Sequence, residues 1–170
     1  MEFLNAIKDR IPDYAKDIRL NLDAVVARSS LPPEDALGVA LAAAFASKSA
    51  PLIEAFRANT PAAEANAALT AAALMGMNNI WYPYVEMAAD EELKTVRPEL
   101  RMNAYASSGG VEKKKFEAYA LAASIVGKCH FCVQSHYALL KKEGYTVQQL
   151  RDIGRIAAVV NAAAQVLIAG

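Results

Sequence analysis

"FEAYALAASIVGKCHFCVQSH", Phe116 to His136, reads as a helix, a break and a second helix, and it holds both cysteines and both histidines of the chain. Alanines and spaced apolar residues favour helix up to Val126, Gly127 interrupts them, and helical spacing resumes through the C-x-x-C. An eighty-residue shift sets "ALAAAFASKSAPL", from Ala40, against "ALAASIVGKCHFC", from Ala120. The first four residues match and Lys48 aligns with Lys128. This is a weak internal repeat in which Ser49 and Leu52 occupy the cysteine positions of the first copy.

Working outward, the same helical grammar covers the chain. Pro12 opens a run with Tyr14, Ile18, Leu22 and Val25 on one stripe, and "SSLPPED" breaks it. A second helix is expected from about Pro33 to Ser47 and a third over "LIEAFRA". Thr60 and Pro61 read as N-cap and first turn of "AAEANAALTAAALMGMNNIW". Gly144 marks a C-terminal stop, and Thr146 with Gln149 has the spacing of a capping box for the last helix. No proline follows Pro98. The class is all-α. The expectation is one domain over 1–170, built from two related helical repeats, about 33–81 and 113–170, joined by an irregular linker, 82–110.

A chain of 170 residues can bury about 70% of the surface its unfolded form exposes, so no disulfide or metal is needed to hold it together. Eighteen basic residues balance eighteen acidic ones, which offers no field for nucleic acid or an anionic membrane. The N-terminal "MEFLNAIKDR" is too charged for a secretory h-region, and "AAVVNAAAQVLIAG" reads as too short and too polar to span a bilayer. The expected location is the cytoplasm, where a C-x-x-C signals redox work or half a zinc site.

On a helix, Cys129, Cys132 and His136 share one face, with His136 one turn beyond Cys132. A free thiol has a pKa near ~8.5, so a neighbouring base is the usual way to raise its thiolate fraction, and His136 is placed to serve Cys132. Cys129 follows the glycine break and Lys128, where a helix N-terminus and a cation would lower its pKa too. The two arguments select different nucleophiles; the positioned base is the more specific. Glu117, one helix earlier, can fold back to orient His136. The plain alternative is that both cysteines fill core. No metal is expected: three ligands on one short helix cannot surround a tetrahedral zinc ion, and His130 points elsewhere. Lys113 to Lys115 reads as a solvated helix start, and Asn78 and Asn79 are adjacent amides in need of partners.

With those residues in place, the chain resembles the alkyl hydroperoxidase D family, within the broader carboxymuconolactone decarboxylase-like superfamily. Four blocks in order carry the resemblance: "IPDYAKDIRLNL", "AAALMGMNNIWY", "LRMNAYASSGG" and the opening quotation. It implies an all-helical, two-repeat subunit that forms a homotrimer and a peroxidase that reduces organic hydroperoxides to alcohols. By the same analogy Cys132 is the peroxidatic cysteine that becomes sulfenic acid. Cys129 protonates the leaving alkoxide and closes the disulfide, and His136 and Glu117 form the proton relay. No cofactor is tightly bound. Electrons come from dihydrolipoamide on a lipoyl-bearing acyltransferase, recharged from NADH by dihydrolipoamide dehydrogenase, and can pass to a peroxiredoxin. A disulfide reductase, a decarboxylase-like relative and a non-catalytic helical oligomeric binding module are the alternatives. Family members often carry histidine immediately before the second cysteine. This chain has Phe131 there, and a step of one residue turns a helical side chain by about 100°, so His130 does not inherit the role.

Overall fold

The computed structural model describes residues 1–169, and among them every regular element is helical, as the sequence predicts. A short α1 (Asn5–Lys8) precedes α2 (Lys16–Ala27), α3 (Pro33–Ala46), α4 (Ala50–Asn59) and the long α5 (Ala62–Ala88). A stretch with the short α6 (Asn103–Ala106) leads to α7 (Lys113–Gly127), α8 (His130–Lys142) and α9 (Val147–Ala169).

Alanine explains how the centre is built. Residues Ala40 to Ala44 of α3 and Ala120 to Ala123 of α7 are buried, as are Ala67, Ala68, Ala71 and Ala72 of α5. Side chains this small let three backbones approach closely, and α3, α5 and α7 pack against one another as the core. Gly38 belongs to the same design: a Cβ there would come within 2.4 Å of the Tyr119 ring. Tyr119 is fully buried and its hydroxyl donates to Glu64. Lys115, read from sequence as solvated, instead reaches into this centre. Its Nζ lies 2.6 Å from Glu34, 3.0 Å from Glu64 and 3.2 Å from Asp35, tying α3, α5 and α7 together.

Helix ends decide where the chain turns. Gly127 is an ordinary helical residue; the left-handed position is Lys128, at φ 55°. What requires glycine at 127 is Asn79, whose Nδ2 would lie 2.1 Å from an added Cβ. Lys48 holds the same left-handed conformation after α3, at φ 58°, and Ser49 is followed by α4 as Cys129 is by α8. Gly144, at φ 95°, ends α8, and Thr146 and Gln149 form the expected capping box, with backbone-to-side-chain distances of 2.9 and 3.1 Å.

Three expectations need correction. Tyr14 sits in a short 3-10 turn and is 74% exposed, so the buried stripe of α2 begins only with its later residues. Thr60 does not cap α5: its hydroxyl donates to Phe56 O at 2.7 Å and closes α4. Helix α5 continues through Pro83 to Ala88, so the irregular stretch starts later than 82. The C-terminal helix is also longer than its apolar tail suggests. With 23 residues and a mean hydropathy of 1.4 in its most apolar window, α9 is long and apolar enough to cross a membrane. Here it packs on α2, α3 and α7, with Ile153, Ile156, Val160 and Ala164 in the core.

The N-terminal segment is fastened through Asp152 of α9. Its carboxylate accepts from the Ser30 amide and hydroxyl, each at 2.8 Å, and from Arg151 and Arg155. Burial pushes this acid up, but those donors more than offset it and hold the carboxyl at about 2. A depressed folded value gives stability that is present above the ordinary value of 3.8 and drains as pH falls towards 2. Asp152→Ala is therefore expected to cost about 2–3 kcal/mol at neutral pH and to flatten stability across that acid window, measured by denaturant melts at stepped pH.

Candidate functional site

The left-handed Lys128 turns the chain by one corner, and Cys129 becomes the N-cap of α8. Its sulfur accepts from the Cys132 amide at 3.2 Å, so the thiol pair is built into the start of a helix, where backbone N–H groups favour negative charge. The two cysteines are joined as a disulfide, with Cα atoms 5.2 Å apart. Both sulfurs face the Asn78 carbonyl of α5, at 4.0 Å from Cys129 and 3.8 Å from Cys132. In the reduced form that oxygen is an acceptor for whichever thiol keeps its proton.

The two sulfurs differ in access. Both are buried, Cys129 fully and Cys132 at 3% exposure, but only Cys132 lines a cleft of about 210 Å³, shared with Asn78, Met102, Tyr105, Ser135 and His136. Tyr82 and Phe131 form its remaining wall, stacked with ring centroids 4.3 Å apart.

Glu117 and His136 do meet. Residue Glu117 is wholly buried in α7, and its Oε2 lies 2.6 Å from His136 Nδ1 on α8. The other carboxylate oxygen accepts from the Tyr105 hydroxyl, on the short α6. Burial drives this acid up, yet the hydrogen bonds from His136 and Tyr105 hold it below the usual carboxylate range. Burial and the facing carboxylate raise Tyr105 so far that the phenol keeps its proton. His136 Nε2 faces the buried Met75 thioether at 3.2 Å, a weak acceptor, and among the described residues neither imidazole nitrogen is hydrogen-bonded to a cysteine sulfur. His136 and Cys132 line the same cleft, as their shared helical face predicts, but no hydrogen bond joins the imidazole to the sulfur.

His130 stays apart: it is exposed and lies 3.6 Å from Glu86. No group of three or more His, Cys, Asp or Glu that could hold a metal ion occurs among the described residues. Sequence reasoning missed Tyr105, Met75 and the Asn78 carbonyl. A tyrosine in an irregular stretch and a methionine in an alanine-rich helix carry no helical-face signal towards α8, and a backbone carbonyl carries none at all. Asn79 meets the expectation in part: Nδ2 donates to Ala123 O at 3.1 Å, tying α5 to α7 behind the site, while its buried Oδ1 has no partner among the described residues.

The carboxymuconolactone decarboxylase family profile matches residues 91–169. An alkyl hydroperoxide reductase AhpD from Rhodospirillum centenum is 41% identical, covering 96% of this chain and 90% of its own length. One from Maricaulis maris is 39% identical over 98% of each chain, and one from Coxiella burnetii 40% over 97% of each.

Unequal access to the two sulfurs generates a direct test. In the reduced protein, Cys132 is expected to react with iodoacetamide at least about tenfold faster than Cys129, read by mass spectrometry of quenched time points. Equal rates, or two thiols that both resist, would remove the cleft as the route to sulfur.

Proposed function

The chain belongs to the alkyl hydroperoxide reductase AhpD family, and from that premise we propose that it reduces organic hydroperoxides to alcohols through a sulfenic acid and disulfide cycle on its C-x-x-C. The observation that carries this reading is the asymmetry of the pair: of two buried cysteines, Cys132 lines the cleft, whereas Cys129 does not and caps the same helix.

In the proposed cycle His136 takes the Cys132 proton across the cleft, and the thiolate attacks the terminal peroxide oxygen. An S–O bond forms, the O–O bond breaks, and the departing alkoxide takes the Cys129 proton to leave as alcohol. The Cys129 thiolate then attacks the Cys132 sulfur. Hydroxide departs, collects the proton held by His136 and leaves as water, and the disulfide remains. Glu117 keeps the imidazole oriented and balances its charge, and Tyr105 keeps Glu117 ionised in a buried place. A dithiol returns two electrons; the resemblance assigns this to dihydrolipoamide on a lipoyl-bearing acyltransferase, recharged by dihydrolipoamide dehydrogenase, with a peroxiredoxin as a further acceptor. A cytoplasmic homotrimer is the proposed working form.

Two outcomes test the cycle. One equivalent of cumene hydroperoxide added anaerobically to the reduced protein is expected to consume both thiols, with dihydrolipoamide restoring them. Cys132→Ser is expected to abolish consumption with the helical fold intact; thiol exchange with no loss of peroxide would identify a disulfide reductase instead. Separately, Tyr105→Phe removes one of the two donors that depress Glu117, so its acid should move upward. The rate–pH profile is then expected to lose about tenfold on its acid limb and recover towards wild type as pH rises. A uniform loss at every pH would mean that Tyr105 only fills space.

A further inference from the structure

Next to the sulfur-bearing cleft lies a larger one, of about 440 Å³, in the range of small-molecule sites. Its walls are Trp81 and Val85 of α5, Leu93 and Val96 of the following stretch, and the Tyr82–Phe131 stack. That stack also borders the Cys132 cleft, so the two cavities share one aromatic partition. Two charged residues line the larger cleft, and both are exposed to solvent: Lys94 Nζ is 2.5 Å from Glu91, and Glu86, 61% exposed, lies 3.6 Å from His130. Neither is a desolvated charge that asks for an ionic ligand. The smaller cleft has room for a peroxide head beside Cys132, but its 210 Å³ leaves little for a hydrocarbon.

We propose that the larger cleft binds the apolar tail of the hydroperoxide, and that Phe131 with Tyr82 is the specificity wall over which the peroxide head reaches Cys132. This rests on the peroxidase reading above and extends it to a substrate class: hydroperoxides with an aryl or medium-length alkyl tail, in preference to hydrogen peroxide. Phe131 is central because it supplies an apolar face at the partition, 53% exposed and stacked on Tyr82. An imidazole at that position would present polar edges to the tail.

Trp81 is the chain's single tryptophan, so its emission reports this cleft. The full-length disulfide form is titrated with 1-butanol, 1-hexanol and 1-octanol, which cannot react with it. The expected result is a saturable change in Trp81 emission with Kd falling about fourfold per methylene, the fold-change equivalent to about 0.8 kcal/mol. Val96 is 56% exposed, so Val96→Asp tests the cleft with little risk to folding and is expected to weaken octanol binding about tenfold. Emission that ignores the alkanols, or shifts only with protein concentration because a second copy fills the cleft, overturns the proposal. In turnover, Val96→Asp is expected to lower the ratio of kcat/KM for cumene hydroperoxide to that for hydrogen peroxide by about tenfold. An unchanged ratio with a raised KM for dihydrolipoamide would assign the cleft to the reductant's chain and overturn it. Since the alkanol titration needs no catalysis, chain-length-dependent binding without peroxide consumption would count against the peroxidase cycle and not against the apolar cleft.

Discussion

A carboxylate with no solvent exposure must be supplied with donors, and the site is organised around meeting that demand for Glu117. One donor comes from His136 on α8 and the other from Tyr105 on α6, so three separate stretches of chain converge on two oxygen atoms. The pair at 2.6 Å fixes the face that α8 turns towards α7, and the corner at Lys128 makes that packing possible within one residue. The same arrangement leaves Cys132 at the cleft and sends Cys129 inward. The position of the sulfurs is thus tied to the satisfaction of a buried charge.

Much of this was legible in the sequence because it depends on helical spacing. The face shared by Cys129, Cys132 and His136, the return of Glu117, the capping box at Thr146 and Gln149 and the all-helical class all follow from periods of three and four and from end signals. What was not legible depends on distance across the fold. Gly127 looked like a break, whereas its missing side chain makes room for Asn79 and the turn belongs to a lysine. Pro83 looked like an end, yet α5 carries it in its last turns. Lys115 looked solvated because its three acidic partners sit on helices far away in sequence.

The sulfur of Cys129 has two structural duties at once. It forms half of the disulfide and accepts the Cys132 amide at the start of α8. A change of redox state therefore occurs at a helix terminus that faces the Asn78 carbonyl and is backed by the Asn79 tie to α7.

The two left-handed lysine corners have a further consequence. Lys48 and Lys128 turn the chain alike, but Ser49 and Leu52 follow the first, where Cys129 and Cys132 follow the second. Only one corner can hold electrons. In the proposed cycle each subunit is a single-charge cell: it stores one electron pair, discharges it on one peroxide molecule and is then inert until recharged. Its throughput under sustained oxidative load is capped by how often a reduced donor finds the cleft.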